Sequence, residues 1–242
     1  MRLLRKIGGH SYGSVILEDI QSSLKNARVR IQWKSLFTGN VGSIIVLGLV
    51  LAFFQQWCGI NIVFNYAEEV FTSAGFGINA SLLNIVATGL VNLVFTLIAL
   101  RTVDRWGRKK LMLTGAAGLA LIYIFLGAAY YLELNGTLVL LIILMAIGVY
   151  AMTLAPVTWV ILSEIFPNRI RGTAMALAST TLWIASTLLV FLFPIIKEKI
   201  YIYGAFWLYA AICVLGFFYI KPRLPETKGK SLEQIENDFT KN

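Results

Sequence analysis

Gln55, Gln56 and Asn61 are three amide side chains set in the middle of an apolar run. The stretch reads Phe53-Phe54-Gln55-Gln56-Trp57-Cys58-Gly59-Ile60-Asn61-Ile62-Val63-Phe64-Asn65-Tyr66, and apolar sequence flanks it from Val41 and on through Phe71. As a single helix, Val41 to Phe71 would be about 46 Å long at about 1.5 Å per residue. A bilayer's hydrocarbon core is only about 30 Å thick. The span must therefore tilt strongly or break, and Gly59 beside the amides is the natural breaking point. Non-helical backbone at membrane depth survives where it packs in protein or lines a wet cavity. A glycine-interrupted helix with amides at mid-depth thus points to a solute site. The same amides could instead tie this helix to its neighbours by interhelical hydrogen bonds.

A second group of reactive types lies in the polar connections. Asp104-Arg105-Trp106-Gly107-Arg108-Lys109-Lys110 joins two apolar spans tightly, with Gly107 allowing a turn between two helix ends. Glu164, in Ser163-Glu164-Ile165-Phe166-Pro167-Asn168-Arg169-Ile170-Arg171-Gly172, is a partner for Arg105 or Arg108. Catalytic chemistry has little to work with. The chain has one histidine, His10, in a polar segment. Cys58 and Cys213 both sit inside apolar spans and read as small core residues. No nucleophile–base pair or metal cluster falls at membrane depth, so an enzyme is not expected, and no cofactor or metal is implied.

The elements that must position these groups follow from composition. Of 242 residues, 58% are hydrophobic and 14% charged, and the mean hydropathy is +0.75. An ordinary soluble domain carries about 25% charged residues. Six apolar spans, roughly 41–71, 82–101, 111–132, 137–162, 173–196 and 203–221, are each long enough to cross a bilayer. The predicted fold is an all-α, six-span membrane bundle over 37–221. It is preceded by a linker over 1–36 with a weak amphipathic pattern (Val15, Ile16, Ile20, Leu24, Ala27) and followed by a tail over 222–242. No cleavable signal peptide is visible, because Gly8-Gly9-His10-Ser11-Tyr12-Gly13 follows the basic start in place of a long apolar core.

Charge sets the orientation. Of the 21 Lys and Arg residues, all but Lys197 and Lys199 lie in 1–40, 101–110, Arg169, Arg171 and the segment from Lys221 onward. That asymmetry predicts both termini in the cytoplasm of a multi-pass cell-membrane protein. The net charge of +9 is thus a topology signal, and no nucleic-acid partner is expected.

Taken together, Gln55-Gln56-x-x-Gly59-Ile60-Asn61, Asp104-Arg105-x-Gly107-Arg108-Lys109, Pro156-Val157-x-Trp159 through Ser163-Glu164-Ile165-Phe166-Pro167, Arg171-Gly172 and Pro225-Glu226-Thr227-Lys228-Gly229 occur in one order across nearly the whole chain. In these the chain resembles the C-terminal half of a sugar porter of the major facilitator superfamily. It is similar to bacterial D-xylose–proton symporters and to facilitative glucose transporters. The resemblance implies the end of the central cytoplasmic segment, helices seven to twelve of a twelve-helix fold, and the tail.

Several site assignments follow from that resemblance. Gln55, Gln56 and Asn61 match sugar-hydroxyl ligands on the seventh helix, and Asn92 matches one on the eighth. Trp159 and Trp183 match tryptophans of the tenth helix that lie against the sugar. Hydroxyls donate and accept, as amides do, and an indole offers a flat apolar face to a sugar ring. The bland alternatives are interhelical glue for Asn92 and interfacial anchoring for the tryptophans; Trp159 lies inside a span near Pro156, which speaks against the latter. Asp104, Arg105, Arg108, Glu164, Arg171 and Glu226 match a cytoplasmic latch. The chain departs from the pattern at Asn65 (usually tyrosine), Glu68 (usually proline), Ala155 (usually glycine), Leu182 and Ser186 (amides in the xylose symporters). Ala151 stands where the animal glucose transporters carry a glutamate. The implied function is monosaccharide transport by alternating access, as symport or uniport, together with a six-helix N-terminal half. The alternative is a non-transporting protein that keeps the half-fold.

Overall fold

The computed structural model describes residues 39–230 and Gln234, and these are helices joined by short connections, with no strand among them. The amphipathic pattern from Val15 to Ala27, His10 and most of the tail beyond Lys230 lie outside the described residues. The elements are α1 (Gly39–Trp57), α2 (Ile60–Asn65), α3 (Ala67–Ser73), α4 (Ile78–Trp106), α5 (Arg108–Tyr131), α6 (Gly136–Met152), α7 (Leu154–Ile165) and α8 (Arg171–Arg223).

These eight helices make six passes. The first pass is α1 to α3, interrupted at Gly59 (φ 95°, ψ −17°) as expected and again at Tyr66 (φ −118°, ψ 32°). Helices α4 and α5 are single passes. Helices α6 and α7 form one pass bent at Thr153 (φ −122°, ψ −87°), just before Pro156. Helix α8 is two passes joined at Tyr201, whose backbone leaves the helical region at φ 60°, ψ 175°. The contacts prove the reversal. Along 171–200, Ala185, Val190 and Lys197 meet Trp57, Tyr66 and Glu69 in rising order. Beyond Tyr201 the order inverts: Tyr209 lies against Gly59 and Gly216 against Phe54. The segment Lys197–Ile202, expected as a polar connection, is therefore helix with a one-residue break.

Ile78–Trp106, Arg108–Tyr131, Gly136–Ile165 and Arg171–Arg223 are each long and apolar enough to cross a membrane, and Val41–Trp57 is a shorter apolar helix. The core between the passes is built from the large side chains Tyr123, Tyr209, Phe71, Phe166, Phe193 and Phe206, all fully buried. Cys58 and Cys213 are buried and unpaired in it, as small core residues. Leu83, Val86, Leu90 and Leu100 of α4 face outward. Outward leucines cost nothing in lipid, which is as apolar as they are. The chain is a multi-pass membrane protein.

Candidate functional site

Gly59 creates the site. Its φ of 95° is a left-handed conformation that glycine adopts without steric cost. A β-carbon there would lie 2.6 Å from Cγ of Tyr209, so the sixth pass packs closely against the break. The interruption turns the amides toward each other rather than around a helix. Gln55 Nε2 donates to Tyr150 Oη at 2.6 Å. Gln56 Nε2 donates to Gln55 Oε1 at 2.6 Å, and Asn61 Nδ2 donates to Gln56 Oε1 at 2.5 Å. Gln55 and Gln56 are buried, and Asn61 is half-buried. The result is a chain of neutral donors and acceptors leading from Tyr150 in α6 to the partly open Asn61. Its Oδ1 accepts no hydrogen bond from a described residue. No ionisable carboxylate or amine takes part, so the site has hydrogen-bonding capacity without charge.

Around the chain, Trp57 Nε1 donates to the Ala185 carbonyl at 3.0 Å while its ring stacks on Phe53 with centroids 5.2 Å apart. Tyr66 Oη donates to the Val190 carbonyl at 2.8 Å and its ring meets Phe193 at 4.7 Å. These contacts fasten the broken first pass to the fifth. Asn65, where a tyrosine was expected, turns back to donate to the Asn61 carbonyl at 2.8 Å.

The other candidates stand outside the hydrogen-bonded chain. Asn92 is half-buried on α4 and makes no hydrogen bond to a described residue. Trp159 on α7 is 41% exposed and Trp183 is 68% exposed. The two tryptophans do not share a helix: Trp183 is on the fifth pass, in α8, and not beside Trp159 on the fourth. It lines an open cavity of about 600 Å³ with Tyr66, Ser186 and Phe191. Tyr150 was missed by sequence reasoning. A lone phenol in the apolar run Gly136–Met152 was the available signal.

At the other end of the bundle the charged residues meet. Arg108 Nη2 lies 3.0 Å from Glu164 Oε1 and 3.2 Å from Asp104 Oδ1. Thr227 donates to Glu164 Oε2 at 2.6 Å. Of the two arginines considered for Glu164, Arg108 is the partner. The Arg105 side chain is exposed, and only its carbonyl is used, by Lys228 Nζ at 2.6 Å. Arg171 does not join Glu164: its Nε donates to the Phe166 carbonyl at 3.1 Å, and its Nη2 is buried without a partner among the described residues. Glu226 pairs with backbone and not with an arginine. Its Oε1 accepts from Arg108 N at 2.9 Å and Lys228 N at 3.0 Å, so it caps α5 from outside the helix, where a carboxylate also complements the helix dipole. Gly107, at φ 86°, leaves the space that carboxylate occupies.

Known proteins resemble this chain along nearly its whole length. A family model described as "Sugar (and other) transporter" matches residues 1–239. The D-xylose-proton symporter of Escherichia coli is 39% identical over 97% of this chain and 48% of its own. The arabinose-proton symporter of Bacillus subtilis is 34% identical over 100% of this chain and 52% of its own. Among solved structures, the proton:xylose symporter XylE of the major facilitator superfamily, bound to 6-bromo-6-deoxy-D-glucose, superposes with a TM-score of 0.80 at 37% identity, covering 98% of this chain and 50% of that one. The chain thus spans about half the length of the relatives it matches, and its six passes form one half of a major facilitator fold. The family model and these relatives are transporters, not enzymes. With six passes, a glycine-broken first pass carrying the amides and a match running along nearly all of its length, this chain belongs to the sugar (and other) transporter family.

Proposed function

We propose that this chain is the C-terminal half of a monosaccharide transporter that works by alternating access, as a proton symporter or a uniporter. The observation that carries the reading is the neutral amide chain Tyr150–Gln55–Gln56–Asn61 at a glycine break in mid-membrane. A sugar hydroxyl donates and accepts, as these amides do, and the absence of charge lets the solute leave again. Asn92, Trp159 and Trp183 complete the wall as a further polar contact and two apolar ring faces. The relatives' names, with xylose and arabinose as cargo and protons as the coupled ion, support the same reading.

In this reading 1–36 is a cytoplasmic linker between halves, 37–221 the bundle and 222–242 a cytoplasmic tail. Both termini face the cytoplasm in this reading, a placement that the excess of basic residues at that end supports. Asp104, Arg105, Arg108, Glu164, Arg171 and Glu226 form the cytoplasmic latch. A second six-helix half supplies the opposite wall, because a transporter site lies between repeats and Trp159 and Trp183 are left 41% and 68% exposed.

The test is sugar uptake into liposomes. The 242-residue chain together with a matching six-helix half gives saturable monosaccharide uptake that Gln55→Ala abolishes, whereas the 242-residue chain without it gives none. The second reading, a half-fold without transport, rests on the match to only half of each relative. It prevails if no matching half restores uptake.

A further inference from the structure

A groove far from the amides is built for a different ligand. Its walls are the start of α5 and the end of the sixth pass, and none of the six candidate sugar ligands lies on either. Lys109, Lys110, Leu113 and Ala117 line one side and Phe217 the other, around a cavity of about 340 Å³. Lys110, Leu113 and Ala117 recur at helical spacing along one face of α5. Leu113, Ala117 and Phe217 leave the floor almost wholly apolar. The rim is cationic. Lys110 Nζ stands 5.8 Å from the Trp106 ring and Lys221 Nζ 5.9 Å from the Phe217 ring, and neither amine, nor that of Lys109, is paired with a described carboxylate. Glu226 is the one acid at this rim, and its Oε1 is taken up by the backbone N–H groups of Arg108 and Lys228. The N-terminus of α5 adds positive potential at the same place.

An apolar trough within a membrane-spanning bundle, capped by three cations at its basic end, has the two-part chemistry of an anionic amphiphile. We infer that this groove binds an anionic phospholipid, with its headgroup phosphate on Lys109, Lys110 and Lys221 and an acyl chain along Leu113, Ala117 and Phe217. The site needs no sugar and no second half, so it stands or falls apart from the transport reading. Basic pockets between helices at the cytoplasmic face recognise such headgroups by charge.

The experiment is native mass spectrometry of the purified, delipidated 242-residue chain titrated with phosphatidylglycerol, phosphatidylcholine or inorganic phosphate. Phosphatidylglycerol adducts form at lower lipid concentration than phosphatidylcholine adducts. The double variant Lys109→Gln/Lys110→Gln weakens them by about twentyfold, roughly fivefold for each cation removed from an anionic surface, while Lys199→Gln at the other end of the bundle does not. Ala117→Trp fills the trough and weakens binding with every lysine intact; if that variant fails to fold, the lysine pair decides. Equal binding of the two lipids, or an equal loss in Lys199→Gln, overturns the assignment. Displacement of the lipid by inorganic phosphate overturns it too, by reducing the site to one for a simple anion.

Discussion

Arg108 grips Glu164 by two nitrogens on one carboxylate oxygen, Nη2 at 3.0 Å and Nε at 3.2 Å, and Thr227 holds the other oxygen. Three separate parts of the chain are thereby joined: the start of α5, the end of α7 and the tail. The side chains are 14% and 22% exposed, so solvent still reaches them and the pair contributes about 1 kcal/mol rather than several. That is enough to bias two conformations separated by a few kcal/mol. Glu164→Gln in the assembled transporter keeps the shape and removes the charge. The population whose cavity opens at the basic end rises by up to about fivefold, read by accessibility labelling of cysteines placed along the cleft. An unchanged distribution counts against the latch.

Gly59→Ala tests the break. Left-handed backbone costs a residue with a β-carbon roughly 1–2 kcal/mol, and the new methyl meets the Tyr209 ring at 2.6 Å, an overpacking that costs about 1–3 kcal/mol. The combined loss is about 2–5 kcal/mol, seen as a lower melting temperature in detergent. Adding Tyr209→Leu returns part of it by making room. A melting temperature unchanged in Gly59→Ala would mean that the break is not strained against the sixth pass.

Much of this was legible in the residues themselves. Two glutamines and an asparagine in an apolar run mark a place where polarity has a purpose, and the glycine among them marks where the helix gives way. The acid–base partnership across the charged end was legible as chemistry, but the choice of Arg108 over Arg105 was not. It depends on how Gly107 aims the first turn of α5, which is geometry between elements. Tyr150 stayed hidden because a tyrosine in an apolar helix looks like core until its hydroxyl is seen to accept from Gln55. The reversal itself was legible between the spans ending at 196 and starting at 203, but its form was not: a one-residue break at Tyr201 carries no turn residue, and the nearby Pro194 lies inside continuous helix. Trp183 was misplaced by the resemblance alone, since the apolar spans 137–162 and 173–196 already set it apart from Trp159.

Orientation is checked by labelling. Arg5→Cys, Trp106→Cys and Lys228→Cys react with a membrane-impermeant maleimide only from the cytoplasmic side, and Gly77→Cys only from outside. The native Cys58 and Cys213 are buried and give little background. Reaction of Gly77→Cys from the cytoplasm would overturn the six-pass topology.

The amide chain makes the most specific prediction, because its links are sequential. Tyr150→Phe removes the acceptor of Gln55 Nε2 and leaves a buried N–H unpaired, at a cost of about 1–3 kcal/mol. Gln55 is then free to rotate, so Gln56 and Asn61 lose the anchor that fixes their shared orientation. In the assembled transporter the apparent KM for sugar rises about fivefold to a hundredfold, with a smaller change in maximal rate, since ground-state positioning is what the phenol supplies. Gln55→Ala alone costs at least as much. If Tyr150 acts only through Gln55, the double variant is no worse than Gln55→Ala, and the double-mutant cycle gives a coupling of about 1 kcal/mol or more. If instead Tyr150 touched the sugar on its own, the two losses would add. Additive losses, measured by uptake kinetics across the four proteins, would remove Tyr150 from the positioning role and make it a ligand in its own right.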